Sequence, residues 1–267
     1  MMLRMTTIAI TGAAGRMGSR LIALARQAGT FKIEAAIERG DHPMLSRDAG
    51  EVAGIGSIGV PLTSDMRATP QVLIDFTVPQ SARHWLKVCR DRGIAMLMGT
   101  TGLTSADHAA VDQAASDIAI LQAPNTSLGV TVLCRVAAQV ARLLGEDYDV
   151  EIVEAHHRFK KDAPSGTALA IADAILSAQS KSRDSLVFGR SGDESMRQKG
   201  QIGMHSLRVG DEVGRHTACF ASLGERIELT HVATNRDTFV HGALRAAAWL
   251  AKQPPGRYSI ANVLGLE

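Results

Sequence analysis

The chain has 267 residues, 45% of them hydrophobic, and its 29 basic and 27 acidic side chains leave a formal charge of +2. This length and apolar content can fill one large core or two ordinary ones and exclude a disordered chain. So small a net charge excludes nucleic acid or an anionic membrane as a partner chosen by charge alone, though a local pocket can still be basic.

Residues 1–7 hold a single arginine and lack the apolar region and cleavage site of a signal peptide, and no apolar run approaches the length of a membrane span. The pattern predicts a strand over Thr6–Thr11, a helix over Arg16–Ala28 and a strand over 32–38. It then predicts a strand over 72–77, a helix over 80–92, a strand over 94–99, a helix over 105–116 and a strand over 118–123. Strands alternating with helices imply a parallel sheet covered on both faces. Residues 39–64, rich in glycine and small side chains, read as a long loop with at most one short strand.

Beyond Ala123 the pattern changes. Leu128–Leu144 and Gly166–Ala178 have helical periodicity, 150–155 reads as a strand, and strand-like runs follow near 203–209, 215–220 and 226–232. Short turns at Val209-Gly210-Asp211 and Ser222-Leu223-Gly224 suggest a largely antiparallel sheet with helices on one face, hence a second, α+β domain. An alanine-rich amphipathic helix over 239–251 could pack on either domain.

The first strand runs into Gly12-Ala13-Ala14-Gly15-Arg16-Met17-Gly18, a GxxGxxG turn that opens a helix. Glycines there let a pyrophosphate approach backbone N–H groups at a helix amino terminus, whose dipole favours anions. Alone the motif is weak, since a tight strand-to-helix turn has the same needs. Its place between strand and helix strengthens it, as does Glu38, twenty residues after Gly18, where an acid meets ribose hydroxyls. Arg39 and Arg16 can each offer a guanidinium to a 2′-phosphate, so both NADH and NADPH are expected to serve. The strand ends Gly99-Thr100-Thr101-Gly102 and Ala123-Pro124-Asn125-Thr126 lie at the expected carboxyl edge of the sheet, where a nicotinamide ring would lie.

The densest stretch is Glu154-Ala155-His156-His157-Arg158-Phe159-Lys160-Lys161-Asp162-Ala163-Pro164-Ser165-Gly166-Thr167. Cationic side chains beside a helix amino terminus carrying the Thr167 hydroxyl make a seat for a carboxylate. Adjacent strand histidines point to opposite faces and do not readily share a metal, so no metal is expected. His156 near Lys160 suits proton delivery instead, the alternative being an exposed basic loop. Cys89, Cys134 and Cys219, odd in number and far apart, indicate neither a disulfide framework nor a metal cluster and fit a reducing cytoplasm.

These blocks, with Ile74-Asp75-Phe76-Thr77, give the chain a resemblance over nearly its whole length to the dihydrodipicolinate reductase family, the last stretch being the most specific. The resemblance implies NADH- or NADPH-dependent reduction of a cyclic unsaturated dicarboxylate imine, 4-hydroxy-tetrahydrodipicolinate, in lysine and meso-diaminopimelate synthesis. It implies His156 as proton donor or acceptor, Lys160 as proton donor, and His157, Gly166 and Thr167 as contacts to substrate carboxylates. Gly12, Ala13, Ala14, Gly15, Arg16, Met17, Glu38, Arg39, Gly99, Thr100, Thr101, Ala123, Pro124, Asn125 and Thr126 would line the cofactor. It further implies a Rossmann-type domain (1–126 with 238–267) interrupted by a mixed or antiparallel α+β domain (127–237) that builds a homotetramer. Thr126 and Phe159 depart from side chains common in the family, an aromatic and a histidine. Two other readings are a semialdehyde dehydrogenase, which needs an activated cysteine, and a dinucleotide-sensing regulator, which would have no use for the His156–Thr167 region.

Overall fold

The computed structural model describes residues 5–266; residues 1–4, part of the amino-terminal stretch read above, and residue 267 lie outside it. In chain order the first elements are strand β1 (Thr6–Thr11), helix α1 (Arg16–Ala28), β2 (Phe31–Ile37), a short α2 (Ala49–Val52) and β3 (Leu62–Thr63). Then come β4 (Val72–Asp75), α3 (Pro79–Arg92), β5 (Ala95–Met98), α4 (Ser105–Ala114) and β6 (Ala119–Gln122). Next are α5 (Leu128–Leu144), β7 (Asp149–His156), α6 (Gly166–Ala178), β8 (Leu186–Phe188), β9 (Ile202–Arg208), β10 (Gly214–Ser222) and β11 (Glu225–Ala233). The chain closes with α7 (Asp237–Leu250), β12 (Gly256–Tyr258) and α8 (Ile260–Leu264). Two compact units result, Met1–Ser127 with Asp237–Glu267, and Leu128–Arg236.

The first unit is a seven-stranded, wholly parallel sheet in the order β12-β6-β5-β4-β1-β2-β3. Its central strands are apolar on both sides because helices cover both faces: Ile8, Ile10, Leu73, Ile74, Met96 and Leu97 have no exposed surface. The strand order reverses between β1 and β4, which opens a crevice at the carboxyl ends, the usual ligand position in such sheets. The carboxy-terminal segment completes this unit, α7 packing on α1 and β12 pairing with β6. β12 and α8 went unforeseen because each is too short to carry a readable period.

The 39–64 loop contains both α2 and β3. Asp48 organises it, Oδ1 accepting from Gly50 N at 2.8 Å and Ile58 N at 3.0 Å, Oδ2 from Gly59 N at 2.7 Å and Ser57 Oγ at 3.0 Å. Partial burial pushes its carboxyl up, but hydrogen bonds from Ile58, Ser57 and Gly50 outweigh that and bring it down to about 2.

The second unit is a five-stranded sheet in the order β11-β10-β7-β9-β8, with α5 and α6 packed together. Leu133, Ala137, Ala141, Ile171, Ala172 and Ile175 of these helices share a core with Val150, Ile152, Ala218 and Phe220 of the sheet. The sheet is more mixed than the turns suggested. Ser222-Leu223-Gly224 does close a β10–β11 hairpin, but β9 pairs in parallel with β7 and not with β10. The strands on either side of Val209-Gly210-Asp211 thus flank β7 from opposite sides. With the short turn Gly145–Asp147, α5 forms a 20-residue stretch long and apolar enough to cross a membrane by length and composition. The expectation that no run reaches that length is corrected; the helix carries Arg135 and Arg142 and buries its other side in this core.

Candidate active site

In the first unit the glycine turn lies at the switch point. Gly12 has φ +64°, a left-handed conformation that favours glycine, and a Cβ on Gly18 would sit 2.1 Å from Gly12 O, so α1 can approach the turn only with glycine there. The turn is held internally: Ala13 N donates to Ile37 O at 3.1 Å, Ala14 N to Glu38 Oε1 at 2.9 Å, and Gly15 N to Gly12 O at 2.9 Å. The amino end of α1, at Arg16 and Met17, has no side-chain cap, because its N-cap is Gly15. These are the backbone donors that fit a pyrophosphate.

Gly12, Glu38 and Arg39 line a cavity of about 720 Å³ together with Thr77, Gln80, Ser81, His84 and Trp85. The α3 contribution was missed, although its position follows from the rule that the next helix begins at the same sheet edge. Arg39 is largely exposed and pairs with Asp41, Nε to Oδ1 at 3.0 Å.

Gly99, Thr100 and Thr101 follow β5, and Ala123, Pro124, Asn125 and Thr126 follow β6, Ala123 N donating to Met98 O at 2.9 Å. They are not part of the cavity wall. Beneath them Asp75, with no exposed surface, accepts hydroxyl donors from Thr11 at 2.6 Å, Thr77 at 2.6 Å and Thr100 at 2.5 Å. One buried carboxylate therefore ties the ends of β1, β4 and β5. The Thr126 side chain is buried, its hydroxyl donating to Phe239 O at 2.6 Å. Its carbonyl lies against Gly242, where a Cβ would come within 1.8 Å. The hydroxyl and carbonyl of Thr126 therefore face α7.

In the second unit β7 brings a different set together. The Glu154 carboxylate is fully buried and His156 Nδ1 lies 2.5 Å from its Oε2. Arg208, from β9, donates from Nη1 to Oε2 at 3.0 Å and from Nη2 to Oε1 at 2.9 Å. Ser165 N reaches Oε1 at 3.3 Å, while Ser165 Oγ caps α6 through Ala168 N at 3.1 Å and meets His216 Nε2 at 3.0 Å. Burial pushes the Glu154 carboxyl up, but hydrogen bonds from Arg208, His156 and Ser206 outweigh it and hold the group ionised. The His216 ring stands edge-on to His156 at 5.1 Å; burial first, and the charge of His156 second, push it down to about 4.

β7 ends at His156, so His157 sits in the following loop, its Nδ1 buried with no hydrogen-bond partner among the described residues. Lys160 Nζ meets Asp162 Oδ1 at 2.8 Å, and that bond holds the Asp162 carboxyl below its usual range. A Cβ on Gly166 would touch nothing within 4 Å, so no packing among the described residues requires glycine there. Gly166 and Thr167 open α6, and the space around the Gly166 Cα is open. An orphaned imidazole nitrogen, a lysine and an unobstructed helix start fit a carboxylate-bearing ligand. Glu154 stood in the motif without a role, while Ser165, Arg208 and His216 were not singled out; the long-range bonds 51 and 54 residues along the chain leave no local signal.

All three thiols are free, and each is pushed up by burial, Cys89 to about 12 and Cys134 to about 11. None is the activated thiolate a semialdehyde dehydrogenase needs.

Comparison with known proteins gives one consistent result. The family model for the amino-terminal part of dihydrodipicolinate reductase matches residues 6–126, and that for the carboxy-terminal part residues 129–264. The chain is 46% identical to the 4-hydroxy-tetrahydrodipicolinate reductase of Alkalilimnicola ehrlichii over 265 residues, 98% of this chain and 99% of that one. It is also 46% identical to the same enzyme of Citrifermentans bemidjiense over 266 residues, 98% of this chain and 100% of that one. Among solved structures, a dipicolinate-bound dihydrodipicolinate reductase from Paenisporosarcina sp. TG-14 shares the fold, with TM-score 0.75 and 22% identity over 96% of this chain and 97% of that one.

Proposed function

Because the chain belongs to the dihydrodipicolinate reductase family, an oxidoreductase family acting on 4-hydroxy-tetrahydrodipicolinate, we propose a specific division of that reaction among its residues. The amino end of α1 holds the pyrophosphate of a nicotinamide dinucleotide, Glu38 and Arg39 face its adenosine ribose, and the 99–101 and 123–126 strand ends line its other half. When bound, the reduced cofactor supplies hydride. Both NADH and NADPH serve: Glu38 already anchors Ala14, and Arg39 is exposed and its side chain pairs with the equally exposed Asp41, a surface contact it can leave to turn toward a 2′-phosphate.

The substrate dicarboxylate is held by His157, Thr167 and the start of α6 at Gly166. Once the 4-hydroxyl has left as water, taking a neighbouring ring proton with it, the ring carries a conjugated C=C–C=N system, and hydride addition to that system moves an electron pair onto the ring nitrogen. Lys160 and His156 deliver the proton that neutralises it, His156 from Nε2, since Nδ1 is turned to Glu154. The two observations that carry this reading are the open space at Gly166, where α6 starts, and the buried His157 Nδ1 that has no hydrogen-bond partner among the described residues. We place the protein in the cytoplasm, where thiols such as its three stay free, and assemble it as a homotetramer through the second unit.

The test is oxidation of NADH and of NADPH, followed by absorbance, with 4-hydroxy-tetrahydrodipicolinate, for the wild type and Lys160→Ala. Oxidation with both cofactors that falls about 10²-fold or more in the variant, with dinucleotide binding intact, supports the assignment. An unimpaired Lys160→Ala enzyme removes the proton-delivery role, and oxidation with one cofactor alone removes dual use.

A further inference from the structure

We propose that Glu154 is the positioning residue of the second unit, its one buried carboxylate setting both the tautomer of His156 and the seat of the α6 amino terminus. The inference rests on the reading of His156 and α6 given above. Glu154 has no exposed surface, so it cannot touch substrate and acts through its neighbours.

An ionised carboxylate only accepts, so the 2.5 Å approach of His156 Nδ1 fixes a proton on that nitrogen. Nε2 is then the atom that takes up or releases a proton. Gly214, on β10, leaves room beside it: a Cβ there would stand 3.2 Å from His156 Nε2. The same carboxylate reaches Ser165 N, and Ser165 Oγ caps the helix whose open start receives the substrate. The bidentate Arg208 balances the charge, which keeps the carboxylate ionised while it serves both neighbours. A merely structural Glu154–Arg208 pair would require neither the histidine nor the helix cap.

Long-range proton–nitrogen correlation on protein with ¹⁵N-labelled histidine reads the tautomer directly. In the wild type, His156 is expected to carry its proton on Nδ1; an unprotonated Nδ1 overturns the proposal, whether or not any variant folds. In Glu154→Gln the side-chain amide can donate to Nδ1, and His156 is expected to change to the Nε2-protonated form. kcat should fall about 10²-fold or more while the dinucleotide Kd holds, and KM for the dicarboxylate should rise as the α6 cap loosens. An unchanged His156 spectrum in a folded Glu154→Gln protein also overturns it. His156→Gln separates the two readings: full activity there ends the proton role of His156, and the spectra still decide what Glu154 sets.

Discussion

Arg208 grips Glu154 side-on between the parallel strands β9 and β7, two nitrogens on two oxygens at 3.0 and 2.9 Å, with Glu154 wholly buried and the Arg208 side chain one-fifth exposed. A pair of this kind costs most when half of it is removed, because the remaining charge is left buried and uncompensated. Arg208→Met is therefore expected to destabilise the second unit by about 3–5 kcal/mol. Chemical denaturation measures this, and a midpoint equal to that of the wild type would count against the pair's importance.

Gly166 and Gly18 should respond in opposite ways to the same substitution. At Gly166 an added methyl meets nothing, so Gly166→Ala should leave stability unchanged or raise it by about 0.5 kcal/mol, while KM for the dicarboxylate rises. A stability gain with unchanged KM would remove Gly166 from the substrate seat.

At Gly18 the methyl would meet the Gly12 carbonyl, a backbone atom that cannot swing aside. Gly18→Ala should cost about 1–3 kcal/mol and abolish dinucleotide binding, both read in one thermal-shift series with and without NADPH. Retained binding would place the pyrophosphate elsewhere.

Arg39 is the side chain on which cofactor choice is expected to turn. Arg39→Ala should weaken NADPH by about tenfold or more and leave NADH nearly unchanged, as direct titration would show. Equal losses for both would mean that the guanidinium stacks on adenine and does not read the 2′-phosphate.

His216 gives a pH dependence with a definite sign. Its folded value, about 4, lies below the ordinary 6.5, so the unfolded chain binds the proton first as the solution is acidified. Stability from this group is fully present above pH 6.5 and is lost progressively as pH falls toward 4, by roughly 3 kcal/mol. In His216→Gln that part of the acid slope should vanish; an identical slope in wild type and variant would refute it.

The sequence carried the fold well where elements are long and periodic. Arg16–Ala28, Leu128–Leu144 and Gly166–Ala178 have the bounds their apolar spacing predicts. It failed for β8, β12 and α8, which have too few residues to show a period, and for the β7–β9 pairing, which a crossover determines and no local turn announces. At the site, the glycine turn and the His156–Thr167 stretch were readable because their chemistry is contiguous. The supports beneath them were not: Asp75 joins threonines from three strand ends, and Glu154 meets an arginine 54 residues away, partnerships that only the fold creates.

The insertion of Leu128–Arg236 into the sequence of the first unit also sets an order of events during synthesis. Strands β1 to β6 leave the ribosome before α7 and β12, which complete their sheet unit, have been made. At about 5–20 residues per second, that delay lasts on the order of 5–20 s. The second unit is continuous in the chain and can close within that interval. Until β12 has been made and docked, the first unit presents β6 as an unpaired parallel edge, and that edge is what a chaperone would need to shield.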